Sequence, residues 1–284
     1  MSRRYDTVSF LSDYGTADEF VGVVKAVIRD LAPHVSVIDI THEVPPFDVR
    51  AGSVALARSI AYLPAGVVLA VVDPGVGTDR RAVAVEVAGG NGVVIGPDNG
   101  LIASAVALAG GAERAVVLDN VSLHLEAPGA TFAGRDVFAP VVAHLCNGVP
   151  FEELGSPIDA ELLLPGVVPV AREENGGLSA EVTWVDRYGN CQLNVGPDDV
   201  AGWGTRIRVS IDGMGRSAPV VSSFAEAGSG IALVVDSYGM LALCVDRQSA
   251  ALELGLTAGS AVFLSSLDGD DGGVSTQVSL SPRR

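Results

Sequence analysis

The sequence predicts an α/β N-terminal domain with a mostly parallel sheet, followed by an all-β C-terminal barrel. Three observations carry this. In the first half, short runs of Val, Ile and Leu alternate with segments whose apolar residues recur at helical spacing. Those runs are continuously apolar, as in a sheet buried on both faces, hence parallel and covered by helices. Beyond Gly177 the pattern becomes short strands separated by turn residues, which suits a small antiparallel barrel or sandwich. A length of 284 residues agrees with two domains.

Taken in order, Thr7–Leu11 reads as a strand, and Asp18–Asp30 as a helix with Phe20, Val23, Val24, Val27, Ile28 and Leu31 on one face. Val35–Ile40 is a strand, Asp48–Tyr62 a helix and Val67–Val72 a strand. Further strands are expected at Ala82–Val87, Gly92–Ile95 and Ala115–Leu118, with helices at Leu101–Ala109 and Asp136–Asn147. The N-terminal domain spans residues 1–164. Residues 165–177 hold two prolines, three glycines and two adjacent glutamates, and read as a linker. The second domain spans 178–284, with strands at Leu178–Val185, Cys191–Val195, Arg206–Ile211, Val220–Ser223, Ile231–Val235, Leu241–Val245 and Ala261–Leu264. The Gly-, Ser- and Asp-rich tail from Asp268 to Arg284 is expected to be mobile. No internal repeat is visible.

Hydrophobic residues make up 48% and charged residues 18%, which describes a packed globular chain rather than a disordered one. Aromatics are only 5%, so the cores must be filled by Val, Ala, Leu and Ile. A formal net charge of −16 argues against nucleic acid and anionic membranes as partners. The three cysteines, Cys146, Cys191 and Cys244, show no CxxC spacing, which points to reduced thiols and a cytoplasmic location. Met1–Phe10 holds no apolar stretch long enough for a signal peptide, so none is expected, and no apolar run is long enough to span a membrane.

Five constellations bear chemistry. Leu11-Ser12-Asp13-Tyr14-Gly15 closes the first strand, where open α/β sheets bind ligands; Asp13 either accepts from a ribose diol or serves as an ordinary loop or cap carboxylate. In Asp73-Pro74-Gly75-Val76-Gly77-Thr78-Asp79-Arg80, a turn folds the chain back so that Arg80 faces Asp73. The opposite charge favours the ionised carboxylate. Such a pair either orients a water or polar substrate, or is a structural ion pair. Gly96-Pro97-Asp98-Asn99-Gly100 reads as a turn. Thr131-Phe132-Ala133-Gly134-Arg135-Asp136 reads as a helix entrance in which Gly134 permits close approach by a ligand. Asp186-Arg187-Tyr188-Gly189-Asn190 offers donors and acceptors for a base edge or amino-acid head group, or is simply a hairpin turn. There is no GxGxxG after a strand, no Walker loop, no GxSxG elbow and no metal-ligand spacing among His34, His42, His124 and His144.

In this order, the motifs at Leu11–Gly15, Asp39–Asp48, Asp73–Arg80, Gly96–Leu101, Thr131–Pro140 and Asp186–Asn190 resemble the S-adenosylmethionine (SAM) hydroxide adenosyltransferase family, relatives of the adenosyl-fluoride and adenosyl-chloride synthases. The resemblance runs from about Val8 to Leu264. It implies displacement at the 5′ carbon of SAM by water, giving adenosine and L-methionine, with SAM as substrate and no metal or other cofactor. It also implies a homotrimer with SAM held between the N-terminal domain of one subunit and the C-terminal domain of its neighbour. By motif, Asp73 and Arg80 are catalytic. Asp13 would bind the ribose and Phe47 would pack on the nucleoside, with Asp18 and Gly134 also lining the site. Asp186 and Asn190 would hold the methionine head group or the base edge. Phe224 and Ser237 would complete the pocket, with Asp246 and Arg247 near the adenine.

Halide-using members carry Tyr and Thr where this chain has Asp73 and Val76, so the resemblance favours water as nucleophile. Water-using members usually read Thr-Phe-His-Gly-Arg-Asp, whereas this chain has Ala133 in place of the histidine. That is either a natural variation with altered chemistry or a substitution that slows the enzyme. The alternatives to a SAM hydrolase impaired by Ala133 are a 5′-halogenating synthase using chloride, and a catalytically silent SAM- or adenosine-binding protein.

Overall fold

The computed structural model describes residues 5–267. The expected mobile tail, Asp268–Arg284, lies outside them. The chain separates into two compact units, Met1–Val168 and Pro169–Arg284.

The first unit contains β1 (Thr7–Ser12), α1 (Phe20–Leu31), β2 (Ser36–Thr41), α2 (Val49–Ser59), β3 (Gly66–Val71), β4 (Ala82–Val87) and β5 (Gly92–Pro97). It continues with α3 (Ala103–Leu108), β6 (Arg114–Val117), α4 (Ala139–Cys146) and β7 (Ser156–Ile158). The sheet order is β2-β1-β3-β5-β4-β6-β7. The pairs β2–β1, β1–β3 and β3–β5 are parallel, whereas β4 is antiparallel to both β5 and β6, and β7 to β6. Thus β2, β1, β3, β5 and β6 run one way and only β4 and β7 run back, the mostly parallel sheet the sequence predicts.

Burial explains the arrangement. Every residue of β3 is buried, so it can only be a central strand covered on both faces. Phe10, Leu69 and Ile95 join Val24 and Ile28 of α1 and Val141 and Val142 of α4 in one core. Gly52 of α2 sits so close to Val72 and Leu101 that a Cβ there would lie 2.9 and 2.8 Å from them. The expectation of strands buried on both faces fails at β2. It is an edge strand, and Ile38 is 43% exposed.

Two helix starts differ in kind. Asp48 caps α2 by accepting from Ala51 N at 2.8 Å, and α2 gives way after Ser59 to a 3-10 turn over Ile60–Tyr62. The helix expected at Asp136–Asn147 instead opens with a π turn over Gly134–Phe138 before α4. Pro140 explains this: it has no N–H to give to the Asp136 carbonyl. That carbonyl accepts instead from Leu125 N at 2.9 Å.

The second unit contains β8 (Arg172–Glu174), β9 (Gly177–Val185), β10 (Cys191–Leu193), β11 (Arg206–Ile211), β12 (Met214–Val221), β13 (Ala232–Val235), β14 (Leu241–Cys244), α5 (Ala250–Leu254) and β15 (Ala261–Ser266). The strands follow in the order β10-β14-β13-β12-β11-β15-β9, and β9 pairs back onto β10, closing a seven-stranded barrel with β8 added outside β9. Closure removes the open edges that a sandwich would leave. One junction, β12–β13, is parallel. Leu193, Ile207, Leu233, Leu243 and Leu264 fill the interior. Two hairpins turn on Asn175-Gly176 and Asp212-Gly213, all four residues having positive φ, as the tightest right-twisted hairpins require.

Candidate active site

The carboxyl ends of β1 and β3 face the same edge of the first unit, because these strands are adjacent and parallel. Asp13 follows β1 and Asp73 stands two residues past the end of β3. The Asp13 backbone N–H donates to Val71 O at 3.4 Å, tying the two strand ends together. Asp13 Oδ2 accepts from Phe47 N at 2.9 Å. Phe47 holds a positive φ of 68° and its side chain is 73% exposed. A non-glycine residue kept in that conformation marks a place where the backbone is constrained. Asp18 is exposed in the approach to α1.

Arg80 grips Asp73 with two bonds: Nε donates to Oδ1 at 3.0 Å, and a terminal guanidinium nitrogen donates to Oδ2. The side chains are 12% and 5% exposed. The turn between them is short-wired, with Val76 N donating to Asp73 O at 3.2 Å and Thr78 Oγ1 to Gly75 O at 2.6 Å. The Arg80 guanidinium also lies 5.7 Å from the Phe138 ring centroid. Arg80 favours the ionised form of Asp73, as the sequence suggests, but burial outweighs it. Burial raises the carboxyl above its ordinary value, Arg80 and the Gly75 N–H oppose this, and Asp13 adds to the rise. The net direction is upward. A carboxylate with a raised affinity for protons is a better base than a free aspartate.

Ala133 and Gly134 stand at the π turn, and Gly134 is buried. Single π turns of this kind recur at functional sites. A Cβ on Gly134 would lie 2.2 Å from the Tyr14 hydroxyl, so the glycine is what lets the two segments meet. Tyr14 was not singled out from the sequence. Nothing in its spacing distinguishes it from an apolar loop residue, and only the fold brings it here. Arg135 pairs with its neighbour Asp136, Nε to Oδ1 at 2.5 Å, and lies over the Phe132 ring. Arg80, Ala133, Asp136 and His124 border a cleft of about 690 Å³. Burial holds the His124 imidazole below its ordinary pKa.

In the second unit, Asn190, Phe224, Asp246 and Arg247 line one cavity of about 420 Å³, together with Tyr188 and Ser249. Arg247 has a positive φ of 52°. Asp186 does not line this cavity. Its Oδ1 accepts from Tyr188 N and Asn190 N, and its Oδ2 from Asn190 Nδ2 at 2.8 Å. Its bonding is spent inside the turn. Ser237 is also absent from the lining and is exposed in the turn between β13 and β14. That turn repeats the first: Asp236 Oδ1 accepts from Tyr238 N at 2.8 Å and Met240 N at 3.1 Å. The sequence therefore does hold a repeat, Asp-x-Tyr-Gly-x, at the scale of one turn. Among the described residues no group of three or more His, Cys, Asp or Glu is placed to hold a metal ion, and no helix is long and apolar enough to cross a membrane. All three cysteines are buried free thiols.

Comparison with known proteins gives this geometry a context. Residues 8–155 match the model of the SAM hydroxide adenosyltransferase N-terminal domain, and residues 180–263 that of its C-terminal domain. The (R)-S-adenosyl-L-methionine hydrolase of Salinispora tropica is 44% identical over 89% of this chain and 95% of that protein. The protein of the same name from Thermus thermophilus is 43% identical over 90% and 98%. A fluorinase of an Actinoplanes species is 28% identical over 90% and 96%. The crystal structure of an uncharacterized conserved protein from Thermotoga maritima superposes with a TM-score of 0.82 at 32% identity, covering 91% of this chain and 99% of that one.

Proposed function

Because the chain belongs to the SAM hydroxide adenosyltransferase family, we propose that it hydrolyses SAM to adenosine and L-methionine. The observation that carries this is the buried, bidentate Asp73–Arg80 pair at the ligand-binding edge of the sheet. Relatives at 43 and 44% identity bear the name SAM hydrolase, while the fluorinase named above stands at 28%.

In this reaction the water oxygen forms a bond to the 5′ carbon. The bond from that carbon to sulfur breaks, and its electron pair returns to sulfur as neutral methionine. The water proton passes to Asp73 and on to solvent. The sulfonium is already a good leaving group, so the protein must mainly hold the nucleophile in line and remove its proton. Asp73, with its raised proton affinity, is the acceptor. Arg80 keeps its carboxylate fixed, and a negative Asp73 disfavours a halide in the same place.

Asp13 binds the ribose through the carboxylate oxygen not used by Phe47, and the exposed Phe47 ring packs on the nucleoside, with Asp18 and Gly134 lining the site. In the second unit Asn190, Phe224, Asp246 and Arg247 hold the adenine or the methionine head group. Asp186 supports Asn190, and Ser237 lies at the margin. The working form is a homotrimer in the cytoplasm, with SAM bound between one subunit's first unit and its neighbour's second; the exposed edge strand β2 and the buried free thiols are compatible with both statements. The methyl of Ala133 neither donates nor accepts a hydrogen bond, so restoring His there raises the rate.

Incubation of the protein with SAM, followed by chromatography, is expected to show adenosine and methionine in equal amounts. Chloro-adenosine formed with added chloride would replace this reading with a halogenating synthase. SAM binding by calorimetry with no methionine released would replace it with a silent binder.

A further inference from the structure

Tyr14 is the first residue after Asp13, and its ring is held by three others. Centroid separations are 6.4 Å to Phe10, 5.7 Å to Phe20 and 5.8 Å to Phe132. Aromatic contacts of this number fix where the hydroxyl goes. It lies 2.2 Å from where a Cβ on Gly134, the residue next to Ala133, would stand, and within electrostatic range of Asp13, Asp73 and Arg80. Among the described residues it makes no hydrogen bond, although the ring is largely packed away. A polar group so placed is expected to find its partner in water or ligand. It is also not among the side-chain atoms sealed from solvent.

We propose that the Tyr14 hydroxyl holds the nucleophilic water at the Asp73–Arg80 pair, supplying the hydrogen bond that the methyl of Ala133 cannot. The role rests on the hydrolase reading above. A water molecule has two lone pairs and two hydrogens. Tyr14 donates to one lone pair, Asp73 accepts one hydrogen, and the second lone pair is left to attack the 5′ carbon. Tyr14 itself neither gains nor loses a proton. Burial, with Asp13 and Asp73 adding to it, raises the phenol above its ordinary value, so it stays protonated and able to donate.

The test is Tyr14→Phe, alone and combined with Ala133→His. Tyr14→Phe removes one oxygen and keeps the ring packing. It is expected to lower kcat by about tenfold to a hundredfold, with SAM affinity by calorimetry within about twofold and an unchanged melting temperature. With His at 133 the same change is expected to cost less than about threefold, because the imidazole provides a second way to hold the water. An undiminished kcat in Tyr14→Phe overturns the role. So does a loss matched by equal loss of SAM binding, or a loss of the same size in both backgrounds. If the unaltered chain forms no adenosine from SAM, the hydrolase reading fails and this role with it. Adenosine formed at equal rates with and without the hydroxyl removes Tyr14 alone.

Discussion

Two neighbouring arginines hold two strand-end aspartates, and the two carboxylates differ in how many of their lone pairs are already used. Arg80 grips Asp73 beyond β3, and Arg81 grips Asp98 beyond β5. Asp98 spends itself on structure. Its Oδ2 takes Arg81 Nε at 2.8 Å and a second guanidinium nitrogen, and its Oδ1 takes Leu164 N at 2.8 Å. Arg81 then reaches Leu162 O at 2.6 Å. The pair fastens the segment after β7 to the sheet. Asp73 has no such further duty among the described residues. Beyond Arg80 it meets only the N–H of Gly75 in its own turn. The sequence suggests only the first pair, seven residues apart in one turn; Asp98 reads there as a turn residue, and its arginine lies 17 residues away. What separates structure from chemistry is which lone pairs are already used, and that is set by distant backbone.

The sharpest way to break this comparison is to remove each carboxylate in turn. Asp73→Asn keeps the shape and loses the base. It should lower SAM cleavage by roughly 10²- to 10⁴-fold, and because it leaves the buried Arg80 charge without its counter-ion it should lower the melting temperature as well. Asp98→Ala should cost stability without the loss of rate. It strands a guanidinium and the Leu164 N–H, at a cost of about 2–4 kcal/mol, tempered because Arg81 is 35% exposed. Turnover per folded molecule should stay within about twofold of the parent. Denaturant melts and initial rates on both variants settle the matter. Equal rate losses in the two would mean the pairs are not divided as described.

A second test uses acid. Burial raises Asp73, and Arg80 and the Gly75 N–H only partly offset it. If ionised Asp73 accepts the proton, kcat should fall on acidification through a limb above the ordinary aspartate range. Arg80→Gln removes a group that lowers the value, so the limb should move to higher pH. The stability sign is fixed by the same direction. A carboxyl raised in the folded state favours folding below its unfolded pKa, and that contribution is lost as pH rises through the folded value. Asp73→Asn should therefore remove part of the stability gained on mild acidification. A pH–rate profile whose limb sits at or below the ordinary range, or fails to move in Arg80→Gln, argues against Asp73 as the base.

Much of the fold was legible because it is written in local patterns. β4 and β11 match their expected bounds residue for residue, since both are bounded by turn residues. The misses have physical reasons. β12 begins at Met214 rather than Val220, because Met214–Ser217 are exposed and form no apolar run, Met214 being followed by Gly, Arg and Ser. The Asp212-Gly213 and Asn175-Gly176 turns were the available signal for β12 and for β8. At the site, Asp13, Asp73, Arg80 and Gly134 could be read as one group from motif order. Tyr14 could not, because its hydroxyl matters through a contact 120 residues away in sequence, with Gly134. The second unit divides the same way. Asn190, Phe224, Asp246 and Arg247 share a cavity, whereas Asp186 is consumed by its own turn.

A third carboxylate of the first unit sharpens the comparison on the smallest scale. Asp48 accepts from Ala51 N at 2.8 Å and does nothing else with its side chain among the described residues. This is a single local bond at a helix start. Asp48→Ala should therefore cost about 1 kcal/mol, visible as a small drop in melting temperature, with kcat unchanged. The neighbouring Phe47 makes the measurement informative. Its N–H binds Asp13, and its positive φ leads directly into the cap. If Asp48→Ala raised KM for SAM several-fold while kcat held, the cap would be setting the Phe47 backbone and, through it, the orientation of Asp13. The line between structural and binding carboxylates would then run through Asp48 rather than between Asp73 and Asp98.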